Sequence, residues 1–153
     1  MSILRVRPSK PDVDGKVLEV TPESAGWDHV GFAVIRRAAG EAAEGLDPAR
    51  ETCLVLVSGT ADVTAGDETF VDVGGRSTPF EDKAPGAVCV PAGVPWRVVA
   101  TDAVELAVCT APGGEGYAPR QIPAEEMSRE IRGKDTNTRF VRNILPQDRP
   151  AHS

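Results

Sequence analysis

The run Cys53-Leu54-Val55-Leu56-Val57 is apolar at every position and is bounded by Arg50-Glu51 on one side and Ser58-Gly59 on the other. It is too short for a buried helix, and a strand that is apolar on both faces belongs in the middle of a double-layered sheet. It is expected to be the central strand, with neither face meeting water. Around it, from Val17 to Ala111, short apolar or alternating runs are separated by turn residues, which is an all-β rhythm. Candidate strands are Val17–Val20, Val30–Arg37, Thr52–Ser58, Ala61–Thr64, Glu68–Val71, Ser77–Phe80, Ala87–Val90, Trp96–Thr101 and Val104–Thr110. Ala39-Gly40, Ala65-Gly66-Asp67, Gly74-Gly75 and Ala84-Pro85-Gly86 stand between them, and the Gly66-Asp67 turn marks a hairpin directly after Gly59. The spacing predicts a sandwich or barrel.

A chain of 153 residues, 41% hydrophobic and 26% charged, has the make-up of one globular domain over 1–153. At this size roughly 70% of the unfolded surface can be buried, so the core needs no disulfide or metal staple. Seventeen Lys+Arg against 23 Asp+Glu give a net charge of −6 with no basic cluster, and nucleic acid is excluded as a partner on that balance. Cys53, Cys89 and Cys109 form no C-x-x-C pair and read as small buried hydrophobes in a reducing compartment. Met1 to Lys10 has no apolar stretch of the secretory kind, and no later run approaches a membrane span. A cytoplasmic protein without membrane contact is expected.

One segment departs from the β rhythm. In Pro123 to Arg132, proline at a first helical position, two acids in the first turn and Gly133 after a basic last residue predict a short helix. Met127 and Ile131, four apart, would dock it on the sheet. Phe140-Val141 and Ile144-Leu145 could then add a final strand or arm, and Pro146 and Pro150 would end ordered structure, leaving 147–153 a flexible tail.

Reactive groups are scarce. The histidines are His29 and His152. His29 could be a ligand, a base or a packing residue; without a second histidine nearby, a structural role is favoured. His152 belongs to the tail. Gly113-Gly114-Glu115-Gly116 lacks a P-loop lysine and a following helix and reads as a turn. Ser24 and Ser58 have no neighbouring base, so nucleophilic hydrolysis is unsupported. Trp27 and Trp96 read as core or rim packing.

Two stretches resemble the paired signatures of the cupin superfamily, small jelly-roll barrels that often enclose a metal: Thr52 to Gly59, and Gly86-Ala87-Val88-Cys89-Val90-Pro91-Ala92-Gly93-Val94-Pro95-Trp96. Metal-binding members carry an H-x-H pair, a glutamate and a later histidine, because imidazoles and a carboxylate suit a divalent transition metal. Here Asp47-Pro48-Ala49-Arg50 stands where the histidine pair would lie and Trp96 where the last histidine would lie. Glu51 is one position off the family spacing. The resemblance therefore implies a cupin without metal or catalytic residues of its own, with Trp96 available to line the pocket.

A closer resemblance rests on Gly26-Trp27-Asp28-His29-Val30-Gly31-Phe32, Cys53 to Gly59, Glu105 to Gly113 and, above all, Arg132-Gly133-Lys134-Asp135-Thr136-Asn137-Thr138-Arg139-Phe140-Val141-Arg142-Asn143-Ile144-Leu145-Pro146. These strings resemble the N-terminal half of the 5-deoxy-glucuronate isomerases, bicupins of inositol catabolism. The resemblance implies an aldose–ketose isomerase acting on a sugar acid, with the divalent metal in a second, C-terminal cupin half. For the last string it leaves two roles open: an interdomain strand, or a polar arm in which Arg139 clamps a substrate carboxylate while Asn137 and Thr138 bind hydroxyls. The alternative function is a metal-free cupin that binds sugar acids or serves assembly, including docking on copies of itself.

Overall fold

The computed structural model describes residues 5–114 and 116–151, so Glu115 of the glycine-rich turn and His152 of the expected tail lie outside the described residues. The chain forms β1 (Lys16–Val20), one helical turn α1 (Pro22–Ala25), β2 (Gly31–Arg37), β3 (Ala42–Gly45), β4 (Arg50–Ala65), β5 (Glu68–Arg76), β6 (Gly86–Val90), β7 (Trp96–Ala100), β8 (Val104–Pro112), β9 (Arg120–Ile122), β10 (Ser128–Arg132) and β11 (Arg139–Asn143). Among the described residues no helix is long and apolar enough to cross a membrane.

The two expected strands 52–58 and 61–64 are one strand, β4, and it belongs to two sheets. Its first half pairs with β6 and β8 in the antiparallel order β1-β2-β8-β4-β6-β9, and its second half pairs with β5 and β7, with β3 beyond β7. The corner is Gly59, at φ 84°, where an added Cβ would lie 2.2 Å from the Ala103 carbonyl oxygen. Only glycine fits both the angle and the approach. The two layers enclose one apolar core in which Leu54, Leu56, Val63, Val73, Val88, Val98 and Leu106 are buried. Burying each such side chain is worth about 1.5–3 kcal/mol. The result is an all-β sandwich of two layers.

The expectation that both faces of Cys53–Val57 are dry is corrected. Leu54 and Leu56 point into the core, whereas Cys53 and Val55 on the other face are half-buried. That outer face is covered only in part, by a second cluster of Ala84, Ala87, Ile122 and Met127 with Ile144 and Leu145 packed against it.

The expected helix over 123–132 is a second correction. A 3-10 turn, Ala124–Glu126, is followed by β10, which pairs with β11 in a separate antiparallel ribbon from Ser128↔Asn143 to Arg132↔Arg139. Proline, two acids and a terminal glycine describe the ends of a 3-10 turn and of a hairpin as well as those of a helix. The cross-strand partner Arg139–Asn143, which local signals do not register, decides between them. Met127 docks as expected, at 3% exposure, but Ile131 is 64% exposed on the ribbon. Residues 77–80 form bends and turns rather than a strand. Pro79 cannot donate to a ladder, and the Glu81 carboxylate accepts from the Ser77 N–H at 2.7 Å, closing a local turn. Residues at the expected tail fold back on the outer face: the Arg149 guanidinium donates to the Glu126 carboxylate at 2.8 Å and to its carbonyl at 2.7 Å.

Candidate functional site

The two signature stretches meet at one mouth of the barrel. Gly93, at φ 78°, closes the Pro91-Ala92-Gly93 turn, and its N–H donates to the Asp47 carbonyl at 2.8 Å. The Asp47 carboxylate turns back on its own chain, accepting from the N–H groups of Ala49 at 2.9 Å and Arg50 at 3.0 Å. This Asx turn fixes the start of β4. Behind it lies a cavity of about 400 Å³ whose walls include Phe32, Ile35, Glu44, Asp47, Arg50, Trp96, Val108 and Thr110. Trp96 is buried at the head of β7 and lies over Gly45 of β3, where a Cβ would come within 2.6 Å of the indole. Gly45 is therefore required by the tryptophan.

Arg50 is the charged anchor of this mouth. Its Nε donates to the Thr110 hydroxyl at 3.2 Å, and its Nη2 to the Thr110 carbonyl at 3.2 Å and to the His29 carbonyl. Gly31 gives this arrangement room, since a Cβ there would lie 2.5 Å from the Thr110 Oγ1. The carboxylates around the mouth already have partners: Glu44 pairs with Arg97 at 2.8 Å and Glu19 with Lys16 at 2.6 Å. Glu23 is held below the usual carboxylate range by its own backbone N–H, by the Thr21 hydroxyl and by the charge of Arg50. Glu23, so stabilised, is a weakened proton acceptor.

These residues do not fit a divalent metal. The Asp47 oxygen is taken up by main-chain donors, Arg50 brings a positive charge into the mouth, and Trp96 offers no lone pair. Glu51 points the other way. Strand alternation puts Arg50, Thr52 and Leu54 on the barrel side and Glu51 with Cys53 on the outer face, where Glu51 lines a different cavity. A spacing one residue off the family pattern thus turns the carboxylate to the opposite side. Among the described residues no group of three or more His, Cys, Asp or Glu could hold an ion. The mouth sets the Arg50 guanidinium among the carboxylates of Glu19, Glu23, Glu44 and Asp47, beside an apolar wall that includes Phe32, Trp96 and Val108.

The four residues singled out in the sequence are not brought together. Trp96 lines the mouth, whereas Asn137, Thr138 and Arg139 lie exposed at the tip of the β10–β11 ribbon and are absent from the mouth's walls. There the string has a conformational reason: Gly133 at φ 83° and Asp135 at φ 50° shape the loop, and the Thr138 hydroxyl donates to the Asp135 carbonyl at 2.8 Å. His29 is exposed and contributes its main-chain carbonyl. Arg50, Thr110 and Gly31 were not singled out as site residues. For Arg50 the signal was available, since alternation backward from Leu54 and Leu56 places it on the inward face.

With this geometry in hand, comparison with known proteins is specific. The description of the KduI/IolB family matches residues 4–153. A 5-deoxy-glucuronate isomerase of Geobacillus kaustophilus is 42% identical over the whole chain, and one of Geobacillus thermodenitrificans 39%, the match covering 55% and 56% of those proteins. The crystal structure of an IolB-like protein from Salmonella typhimurium superposes with a TM-score of 0.85 at 38% identity, covering 99% of this chain and 55% of that one. The chain spans about half the length of the curated relatives it matches. By a match that runs through both barrel signatures and the β10–β11 ribbon, the chain belongs to the KduI/IolB family.

Proposed function

We propose that this chain is the N-terminal cupin half of a cytoplasmic aldose–ketose isomerase that converts 5-deoxy-glucuronate to 5-dehydro-2-deoxy-gluconate, with the divalent metal held in a C-terminal cupin half. The carrying observation is that relatives named 5-deoxy-glucuronate isomerase match the chain from end to end while extending to nearly twice its length. The donor set at the barrel mouth supports placing the metal elsewhere: it offers a guanidinium and an indole where a transition metal wants imidazoles and carboxylate. In this reading the barrel is scaffold, and Asn137, Thr138 and Arg139 form an arm toward the second half, where Arg139 could take a substrate carboxylate. The test is isomerase turnover by the chain alone and together with a C-terminal cupin half from a relative, with and without divalent metal. Metal-dependent turnover only in the combined form is expected; none in the combined form overturns the reading.

Arg50 favours a second reading, a sugar-acid-binding module. A guanidinium oriented by two carbonyls and a hydroxyl beside Trp96 and Phe32 suits a carboxylate on a small polar ligand. A sugar acid that raises Tm in a concentration-dependent way, with the effect abolished in Arg50→Met, supports it. An identical Tm rise in Arg50→Met defeats it.

A further inference from the structure

The three cysteines are not scattered in the core. Cys53 on β4 sits directly opposite Cys89 on β6 and, on its other side, opposite Cys109 on β8. Cys89 is in turn opposite Arg120 on β9. Paired residues of antiparallel strands direct their side chains to the same face, so Arg120, Cys89, Cys53 and Cys109 form one row across four strands. The row faces outward. All four side chains line a cavity of about 450 Å³ between the sheet and the returning C-terminal segment, whose other walls include Val30, Leu145 and Pro150. Arg120 is held in place by donating to the Pro150 carbonyl.

The row is asymmetric. Cys89 stands between a guanidinium and a thiol, whereas Cys109 has a thiol on one side and the apolar Phe32 of β2 on the other. A hydrogen bond from Cys53, together with the charge and hydrogen bond of Arg120, draws the Cys89 thiol below its ordinary range against the opposing effects of burial and of the Glu51 carboxylate. The same hydrogen bond and burial push Cys53 up, and burial pushes Cys109 up. A thiol drawn downward beside one pushed upward is the arrangement of an attacking cysteine and its resolving partner.

We propose that Cys89 and Cys53 are a redox modification site, in which hydrogen peroxide oxidises Cys89 and Cys53 resolves it to a cross-strand disulfide. The Cys89 thiolate attacks one peroxide oxygen; an S–O bond forms, the O–O bond breaks, and the departing hydroxide takes a proton to become water. The Cys53 sulfur then attacks the sulfenic sulfur; the S–S bond forms, the S–O bond breaks, and the hydroxyl leaves with the Cys53 proton as a second water. Two thiols lose two electrons, and the peroxide gains them. Directly opposite Cβ atoms about 4.5–5.5 Å apart need only a small approach to reach the roughly 3.8 Å of a disulfide.

The experiment is peroxide titration of the chain, followed by thiol counting and peptide mass spectrometry under non-reducing conditions. The expected result is loss of two of the three free thiols, a Cys53–Cys89 linkage within a monomer, an unmodified Cys109, and reversal by dithiothreitol. Cys53→Ser should leave a dimedone-trappable sulfenic acid on Cys89, Cys109→Ser should keep the linkage, and Arg120→Gln should slow oxidation several-fold and move its pH midpoint upward. Equal modification of Cys89 and Cys109, a Cys53–Cys109 linkage, or oxidation no faster than that of free cysteine overturns the proposal. These readouts on the unaltered chain decide it even if a variant fails to fold.

Discussion

The two faces of β4 are built from adjacent residues of one strand and yet live in different solvents. On the barrel side Leu54, Leu56, Ala61 and Val63 have no exposed surface and touch the opposing sheet. On the outer side Cys53 and Val55 are half-buried beneath a cover of Ile122, Met127, Ile144 and Leu145 that belongs to later, less regular parts of the chain. Within Cys53–Val57 both faces are apolar, so over that stretch composition does not distinguish them. What distinguishes them is whether the covering surface is a second sheet, which excludes water along its whole length, or an arm that leaves a cavity.

This contrast can be broken by substitution, beginning with the barrel side. Leu56→Ala removes a fully buried side chain facing an opposing sheet that cannot collapse into the space, and should cost about 3–5 kcal/mol in chemical denaturation. A loss near 1 kcal/mol would mean that the two layers are not rigidly packed. Met127→Ala, which uncovers the outer face, should cost about 2 kcal/mol, because the arm can relax where a sheet cannot. A cost equal to that of Leu56→Ala would erase the distinction between the faces. At the mouth, Gly31→Ala forces a Cβ against the Thr110 hydroxyl and should cost about 1–3 kcal/mol while loosening Arg50, visible as lost stabilisation by any sugar-acid ligand.

The smallest expected effect lies on the exposed ribbon. Glu130 is held below the usual carboxylate range by hydrogen bonds from Arg132 and Asn143. Its folded-state value is depressed, so the associated stability is complete above the ordinary glutamate value of about 4.3 and is lost as pH falls through the lowered one. The Tm difference between the parent and Glu130→Gln should therefore be small near neutrality and close as the medium becomes more acidic than about pH 4. A gap that widens with acid would contradict the assignment.

Most of the barrel was legible because its strands announce themselves by apolar runs and its turns by glycine. The Gly66-Asp67 hairpin and the strands at 86–90, 96–100 and 104–112 follow from that rule. Ala42–Gly45 does not, since alanine, glutamate and glycine have no preference for strands; its reason is the ladder with β7 and the space that Trp96 needs over Gly45. The difference over 123–132 has the same origin, as partners from 7 (Arg132↔Arg139) to 15 (Ser128↔Asn143) residues downstream overrode local signals. At the candidate site, Trp96 was readable as the first strand residue after the Pro91-Ala92-Gly93 turn. The hold of Thr110 and the His29 carbonyl on Arg50 was not, because it joins residues 60 and 21 positions apart.

The corner at Gly59 has one further consequence. Because a single uninterrupted strand serves as a central member of both layers, neither can peel away without dragging its neighbour, and the sandwich should open as one cooperative unit. Amide protons on either side of the bend, at Leu54 and Val63, would then exchange with deuterium through the same global opening, while those of the β10–β11 ribbon escape earlier.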